Sequence, residues 1–161
     1  MKYLLLLLFT PLFSIGQTRK IANIEGYKIF KIGSIIDTSK VVPDEKQFDG
    51  TEKWKVNDSS LLHNGNVVFN KVLITTFNDT VKIVRLSGTT NGFLLYSDYE
   101  KKYGKPIQKT LSKYKEVETA TWKTGNTQIF FFTPEGTYNT TAVYSDVNFL
   151  EMLENKKLSN L

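Results

Sequence analysis

The clearest pattern in the chain is an alternation of apolar and polar side chains over residues 67–77 and again over residues 81–86. A period of two predicts β-strands. Asn78-Asp79 lies between the two runs, and both residue types tolerate the positive φ angles that a tight hairpin turn needs. Both faces of the hairpin carry apolar residues, which predicts a central position in a sheet.

Other strands are predicted where short apolar runs are bounded by turn residues. The stretch 37–66 is polar and rich in turn residues, so it is predicted to form loops and at most one short strand around Trp54. The further predicted strands cover residues 27–32, 114–123, 127–133 and 138–145.

Two helices are predicted. The first covers about residues 91–103, because Thr90 or Asn91 can cap its start, and Gly104 followed by Pro106 ends it. Aromatic side chains recur along it at spacings of three and four, which predicts a packing face made of Phe93, Tyr96, Tyr99 and Tyr103. The second helix covers about residues 147–157, with Asp146 as its cap and an apolar stripe of Val147, Leu150 and Leu153.

This order of elements predicts an α+β fold, with the two helices packed on a mainly antiparallel β-sheet in a single domain over residues 17–161. A six-residue similarity also links two distant segments. Trp54-Lys55 and Trp122-Lys123 are each followed by turn residues and a small hydroxyl residue. Such a similarity favours an internal repeat but is too short to prove one.

The first sixteen residues differ from the rest of the chain. Lys2 precedes a mainly apolar stretch over residues 4–13, and small residues then occupy the positions that a signal peptidase must accommodate. This pattern predicts a signal peptide over 1–16, cleaved between Gly16 and Gln17, and export to the periplasm or beyond. The apolar core is far shorter than the roughly 20 residues that a membrane-spanning helix needs, and no such helix is predicted after it.

Composition excludes several chemistries. The chain has no cysteine and one histidine, His63, so disulfide scaffolds, thiol catalysis and metal sites with two imidazoles are excluded. No glycine-rich phosphate loop occurs, and no cofactor is predicted. Lys and Arg number 21 against 16 Asp and Glu, which gives a formal net charge of +5.

Much of this positive charge is concentrated in one stretch. Tyrosines interleave with it, and after export the accessible partners would be a protein or an anionic envelope component rather than nucleic acid. The alternative is a solvated loop and a helix end, where lysines interact favourably with the helix dipole. The candidate binding residues are Lys101, Lys102, Lys105, Lys109, Lys113 and Lys115.

A catalytic alternative rests on Glu116 and Glu118. Two positions apart on the strand predicted over 114–123, they would share a face, with Cα atoms about 7 Å apart. Paired carboxylates at a comparable spacing serve as acid and base in glycoside hydrolysis. The pair therefore supports a second hypothesis, a small hydrolase acting on envelope polymers.

The second half of the chain resembles a known group of small bacterial proteins. The resemblance covers about residues 90–146 and is carried by the segment 102–106 (Lys-Tyr-Gly-Lys-Pro), Trp122, and the runs 129–131 and 142–144. It is to exported proteins of Gram-negative bacteria without assigned activity, and more loosely to the β-lactamase-inhibitor-protein-like modules and the outer-membrane assembly lipoproteins of the SmpA/OmlA group. The resemblance implies an exported, non-enzymatic binding domain and carries over no functional residues. The chain lacks the lipid-attachment cysteine of the lipoprotein members.

Overall fold

The computed structural model describes residues 21–46 and 50–158, and its main feature is one eight-stranded antiparallel sheet. The predicted signal peptide and its cleavage site at Gly16 and Gln17 lie outside these residues. The helices are α1 (Gly92–Tyr103) and α2 (Val147–Leu158). In chain order the strands are β1 (Gly26–Tyr27), β2 (Phe30–Lys31), β3 (Val41–Lys46), β4 (Thr51–Val56), β5 (His63–Asn64), β6 (Val67–Val68), β7 (Lys71–Phe77), β8 (Thr80–Thr89), β9 (Gln108–Leu111), β10 (Val117–Thr124), β11 (Thr127–Phe132) and β12 (Asn139–Asp146). The predicted α+β fold, with two helices and a mainly antiparallel sheet, is confirmed.

The large sheet consists of two four-stranded meanders placed side by side. Its strand order is β3-β4-β7-β8-β12-β11-β10-β9, so the last strands of the two meanders pair with each other in the middle. Helix α1 connects the meanders along the chain. The short ladders β1–β2 and β5–β6 form two separate two-stranded sheets.

The predicted hairpin is formed by β7 and β8, the third and fourth strands of the eight, so its central position is confirmed. Asn78 and Asp79 turn the chain with φ angles of 50° and 59°. Two successive positive φ angles define the type I′ turn, whose twist matches that of the flanking strands. Residues 67–68 belong to the separate strand β6 rather than to the hairpin.

Three strand predictions are corrected. Residues 27–32 form a hairpin instead of one strand, because Lys28 takes a positive φ of 51° between β1 and β2. The stretch 37–66 contains two six-residue strands, β3 and β4, rather than at most one short strand. The strand predicted from residue 114 begins only at Val117, because the chain first turns at Lys115 with a φ of 65°.

The first of the two sheet faces carries a row of apolar side chains that crosses six strands. The register places these side chains directly opposite one another, so they share a face. In spatial order the row is Trp54, Ile74, Val84, Tyr144, Ile129 and Trp122. The two tryptophans therefore occupy equivalent positions. Each lies on the second strand of its meander, which is the third strand from the β8–β12 boundary in the middle of the sheet. The six-residue similarity in the sequence coincides with this symmetry.

Helix α1 packs on this face of the second meander, where Tyr99 lies 5.7 Å from Trp122 and 6.1 Å from Tyr144 between ring centroids. Its predicted start is confirmed, since the Asn91 side chain accepts hydrogen bonds from the N–H groups of Phe93 and Leu94. Its end is confirmed at Gly104, where φ is 80°. The prediction that all four aromatic residues pack inward is wrong for Phe93, which is exposed, whereas Tyr96, Tyr99 and Tyr103 are buried.

Helix α2 covers one end of the opposite face. Asp146 caps it as predicted, accepting hydrogen bonds from the N–H groups of Asn148 and Phe149 at 3.1 and 3.3 Å. Phe149 is buried against Phe77, and the predicted stripe of Val147, Leu150 and Leu153 is only half-buried. Much of this sheet face consequently stays open. Across the described ranges, no helix combines the length and apolarity needed to cross a membrane.

Candidate functional site

A groove of about 480 Å³ lies at the N-terminus of α1. Three segments line it, namely the start of the helix, the turn that precedes β10, and the loop between β11 and β12. Its apolar lining includes Tyr96, which is buried, and Val117, which is half-buried. A volume of this size is within the range of about 300–1,000 Å³ that is usual for ligand sites.

The turn before β10 is held by its own backbone. The N–H of Ser112 donates to the carbonyl of Glu116 at 2.8 Å, and the N–H of Lys115 donates to the carbonyl of Ser112 at 2.9 Å. These bonds hold Lys115 in its left-handed conformation, which is uncommon for a residue with a Cβ. The turn places the side chains of Lys115 and Glu116 along the groove.

The loop between β11 and β12 is anchored on both sides. The N–H of Thr90 donates to the carbonyl of Tyr138 at 2.8 Å, which ties the loop to the start of α1. Lys113 and Glu135 form an ion pair at 3.3 Å, which joins the loop to the turn before β10. An exposed pair of this kind contributes at most about 1 kcal/mol, so the backbone contact is the firmer anchor.

Gly92 allows the helix to start close to the sheet. A Cβ at this position would lie 2.5 Å from Oγ1 of Thr133 and 3.0 Å from Oγ1 of Thr140. These hydroxyl groups are themselves hydrogen-bonded to each other at 3.1 Å, and Thr140 also donates to the carbonyl of Thr90. The space is therefore closed to any larger residue unless the helix or the threonines shift.

We expect Gly92→Ala to lower the free energy of unfolding by about 1 to 3 kcal/mol, the usual cost of forcing an extra methyl group into a packed site. Urea unfolding followed by circular dichroism measures this change. Ser97→Ala, at a half-buried position of the same helix, is the matched control and should stay within about 0.5 kcal/mol of the wild type. A Gly92→Ala protein as stable as the wild type would contradict the close approach.

Large apolar side chains are exposed around the groove, and we call this set the aromatic end: Phe93, Leu111, Tyr114 and Tyr138. Their exposed fractions are 74%, 50%, 68% and 77% respectively. Phe93 and Tyr138 line the groove, Leu111 pairs with the groove residue Val117, and Tyr114 belongs to the turn. Large apolar side chains exposed around one groove are typical of interaction sites.

Sequence reasoning did not find the aromatic end. It assigned Phe93 to the packing face, and it did not single out Leu111 or Tyr138 as site residues. A usable signal was present, because Phe93 lies two positions after the helix cap Asn91 and Tyr138 lies two positions after the Pro-Glu-Gly loop at 134–136. Chain segments that connect regular elements run over the surface, so an aromatic residue next to one is more easily left uncovered.

The six candidate lysines are exposed and are distributed over the end of α1, the strand β9 and the turn before β10. Lys101 and Lys102 are in the last turn of α1, whereas Lys115 lies at the groove beside its first turn. A helix of 12 residues is about 18 Å long, so these lysines are too far apart to contact one small ligand. Between them in the sequence are Lys105, which follows the helix, and Lys109, which is on the edge strand β9. The structure brings only Lys113 and Lys115 to the groove region, and the binding role of the six stays a prediction.

Glu116 and Glu118 do not share a strand face as expected. Glu116 is in the turn and lines the groove, whereas Glu118 is in β10, where the register with β9 shifts. The expectation failed because strand β10 begins three residues later than predicted. In the described parts of the chain, no group of three or more acidic or histidine side chains is placed to hold a metal ion.

Comparison with protein-family models, with curated proteins and with solved structures found no match to this chain.

Proposed function

We propose that the protein is an exported, non-enzymatic domain that binds a protein partner through the aromatic end. The observation that carries this proposal is the exposure of four large apolar side chains around one groove. Aromatic residues are enriched in the centres of protein interfaces, where they supply much of the binding energy. We infer that an apolar side chain of the partner enters the groove between α1 and the two anchored loops.

Burial of the side chains of the aromatic end would supply part of the energy that offsets the cost of association. An aromatic side chain buries about 150–250 Å² when fully covered, and each Å² of apolar surface contributes about 25 cal/mol. Covering Phe93 and Tyr138, both about three-quarters exposed, would therefore contribute roughly 3 kcal/mol each. Lys115, Glu116 and the Lys113–Glu135 pair lie around them and give the site a polar rim of mixed charge.

Binding fits the groove better than hydrolysis does. Glu116 is the one carboxylate among the described residues that line the groove, and glycoside hydrolysis generally needs a second.

Export is supported by the charged, apolar and small-residue pattern of residues 1–16. N-terminal sequencing of the protein from the culture medium or periplasm should begin at Gln17. A full-length protein confined to the cytoplasm would contradict export.

The binding proposal is tested by replacing Phe93 or Tyr138, one at a time, with a photo-cross-linking phenylalanine analogue in intact cells. We expect both positions to yield the same identified protein adduct. Ile35 is the matched control, because it is 79% exposed and is bridged to Thr80 in the other meander. Purified partner should then bind Phe93→Ala at least about tenfold more weakly than wild type, as expected of an interface centre. Equal adducts at all three positions, or unchanged affinity of Phe93→Ala, would contradict the proposal.

A further inference from the structure

The sheet face opposite α1 carries a row of paired side chains that α2 leaves open. The register runs without interruption across seven strands, so these side chains share one face. We call it the open row, and in spatial order it consists of Lys55, Leu73, Arg85, Val143, Phe130, Thr121 and Gln108. It lies on the other side of the sheet from the row of the two tryptophans.

Arg85 is the only arginine among the described residues, in a chain whose other described cations are lysines or histidine. It is exposed on the fourth strand of the eight, and no described residue forms an ion pair with it. Lys55, exposed in the same row two strands away, is likewise without an ion-pair partner within the described ranges. A guanidinium presents a planar fork of donors that fits a carboxylate in a bidentate way, which a lysine cannot do.

The rest of the open row is apolar or hydrogen-bonding. Phe130 is 41% exposed and lies two strands from Arg85 on the side away from Lys55. Because neighbouring strands are about 4.8 Å apart, Lys55, Arg85 and Phe130 follow one another at intervals of about 10 Å. Thr121 and Gln108 continue the row with side chains that can donate and accept hydrogen bonds.

Positive charge exceeds negative charge on the described part of this face, where the Asp44 carboxylate pairs with Lys71 at 3.6 Å. The open row contains no carboxylate. The neighbouring row on the same face, two residues away along each strand, contains no carboxylate either: Lys71, Ser87, Thr141, Phe132, Thr119 and Thr110. The face is therefore complementary to an anion.

We propose that the open row binds an acidic polysaccharide built from uronic acids. Arg85 and Lys55 bind carboxylates of the polymer, and Phe130 packs against the C–H face of a sugar ring about one disaccharide further along. A linear polysaccharide fits because the row is long, with its cations, aromatic ring and hydrogen-bonding side chains distributed over seven strands. This site is separate from the aromatic end and does not depend on it.

The test uses polygalacturonate as the probe, with affinity measured by titration calorimetry at physiological salt. Arg85→Gln combined with Lys55→Gln should weaken binding about tenfold or more, since hydrogen bonds to charged groups contribute about 1.5–3 kcal/mol. Lys28→Gln combined with Lys31→Gln, at two exposed lysines of the β1–β2 hairpin, is the matched control. It removes the same charge elsewhere and should change the affinity less than about threefold, as a general electrostatic effect does.

Two single variants distinguish a specific binding site from a surface that attracts the polymer only through its positive charge. Arg85→Lys keeps the charge but loses the bidentate fork, and Phe130→Ser keeps all charges but loses the ring. Each should weaken binding by about threefold or more, with the folded state confirmed by circular dichroism. Equal losses in the two double variants, no binding by the wild type, or tighter binding of polyglutamate than of polygalacturonate would overturn the proposal.

Discussion

Trp122→Ala is expected to lower the free energy of unfolding by about 3 to 5 kcal/mol, the usual cost of removing a large aromatic side chain from a core. Trp122 is 2% exposed and contacts the rings of Tyr96 and Tyr99. Its indole N–H also donates to the carbonyl of Gly104 at 2.8 Å, which fastens the end of α1 to the sheet. Domains of this size are stable by about 5–15 kcal/mol, so much of the protein's stability depends on this residue. Urea unfolding followed by fluorescence or circular dichroism measures the change.

The symmetry of the sheet supplies the control. Trp54 occupies the equivalent position in the first meander, but it is half-buried and its N–H donates to the hydroxyl of Thr76 at 3.1 Å. Trp54→Ala should therefore cost roughly 1 to 2 kcal/mol. If both variants lost the same stability, or if Trp122→Ala lost less than Trp54→Ala, the conclusion that Trp122 is the more firmly packed of the two tryptophans would be wrong.

The predictions that held were those that depend on local backbone chemistry. Asn91 and Asp146 cap helices, and Asn78-Asp79 forms a hairpin turn, because each of these residue types satisfies a backbone need within a few residues of itself. These signals place the helices and the central hairpin. Apart from the two strands that the turn joins, they contain no information about which strand lies beside which.

The missed elements lack such local signals. Strand β9 is exposed at all four of its positions, so it shows no alternation, and β3 is an edge strand that contains Pro43. Edge strands are paired on one side only, and their residues are selected less by burial than by the avoidance of further pairing.

The candidate sites were equally hidden. The lysine stretch and the glutamate pair were visible as runs in the sequence, but Phe93 and Tyr138 lie 45 positions apart, and Lys55, Arg85 and Phe130 lie on three separate strands. Only the pairing of β8 with β12 brings the two halves of the open row together. A row of side chains that crosses the strands of a sheet is not visible as a residue pattern along the chain.

The buried tyrosines should make the protein unfold in alkali. Burial raises the pKa of Tyr27, Tyr99 and Tyr144 well above the ordinary value near 10. Tyr144 donates to the hydroxyl of Tyr99 at 3.2 Å, and Tyr27 donates to the carbonyls of Leu61 and His63, each at 2.9 Å. The neutral hydroxyl is therefore the form that the folded state holds.

The sign of the pH dependence follows from linkage. A group with a raised pKa in the folded state contributes its full stability below the unfolded pKa, and this contribution is lost as the pH rises above that value. Above about pH 10 the unfolded chain releases these protons and the folded chain keeps them, so each tyrosine costs about 1.4 kcal/mol per pH unit. Three such groups give a fall of about 4 kcal/mol per pH unit, beginning near pH 10.

Urea unfolding at a series of pH values measures this slope, with tyrosinate absorbance reporting ionisation in the same samples. Tyr27→Phe removes one of the three groups and should reduce the slope by about one third, although it also loses the hydrogen bonds to the backbone at low pH. Tyr138→Phe, at a side chain that is 77% exposed, is the control and should leave the slope unchanged. A stability that stays flat beyond pH 11, or tyrosinate absorbance that rises fully before unfolding, would show that the three hydroxyls reach water in the folded protein.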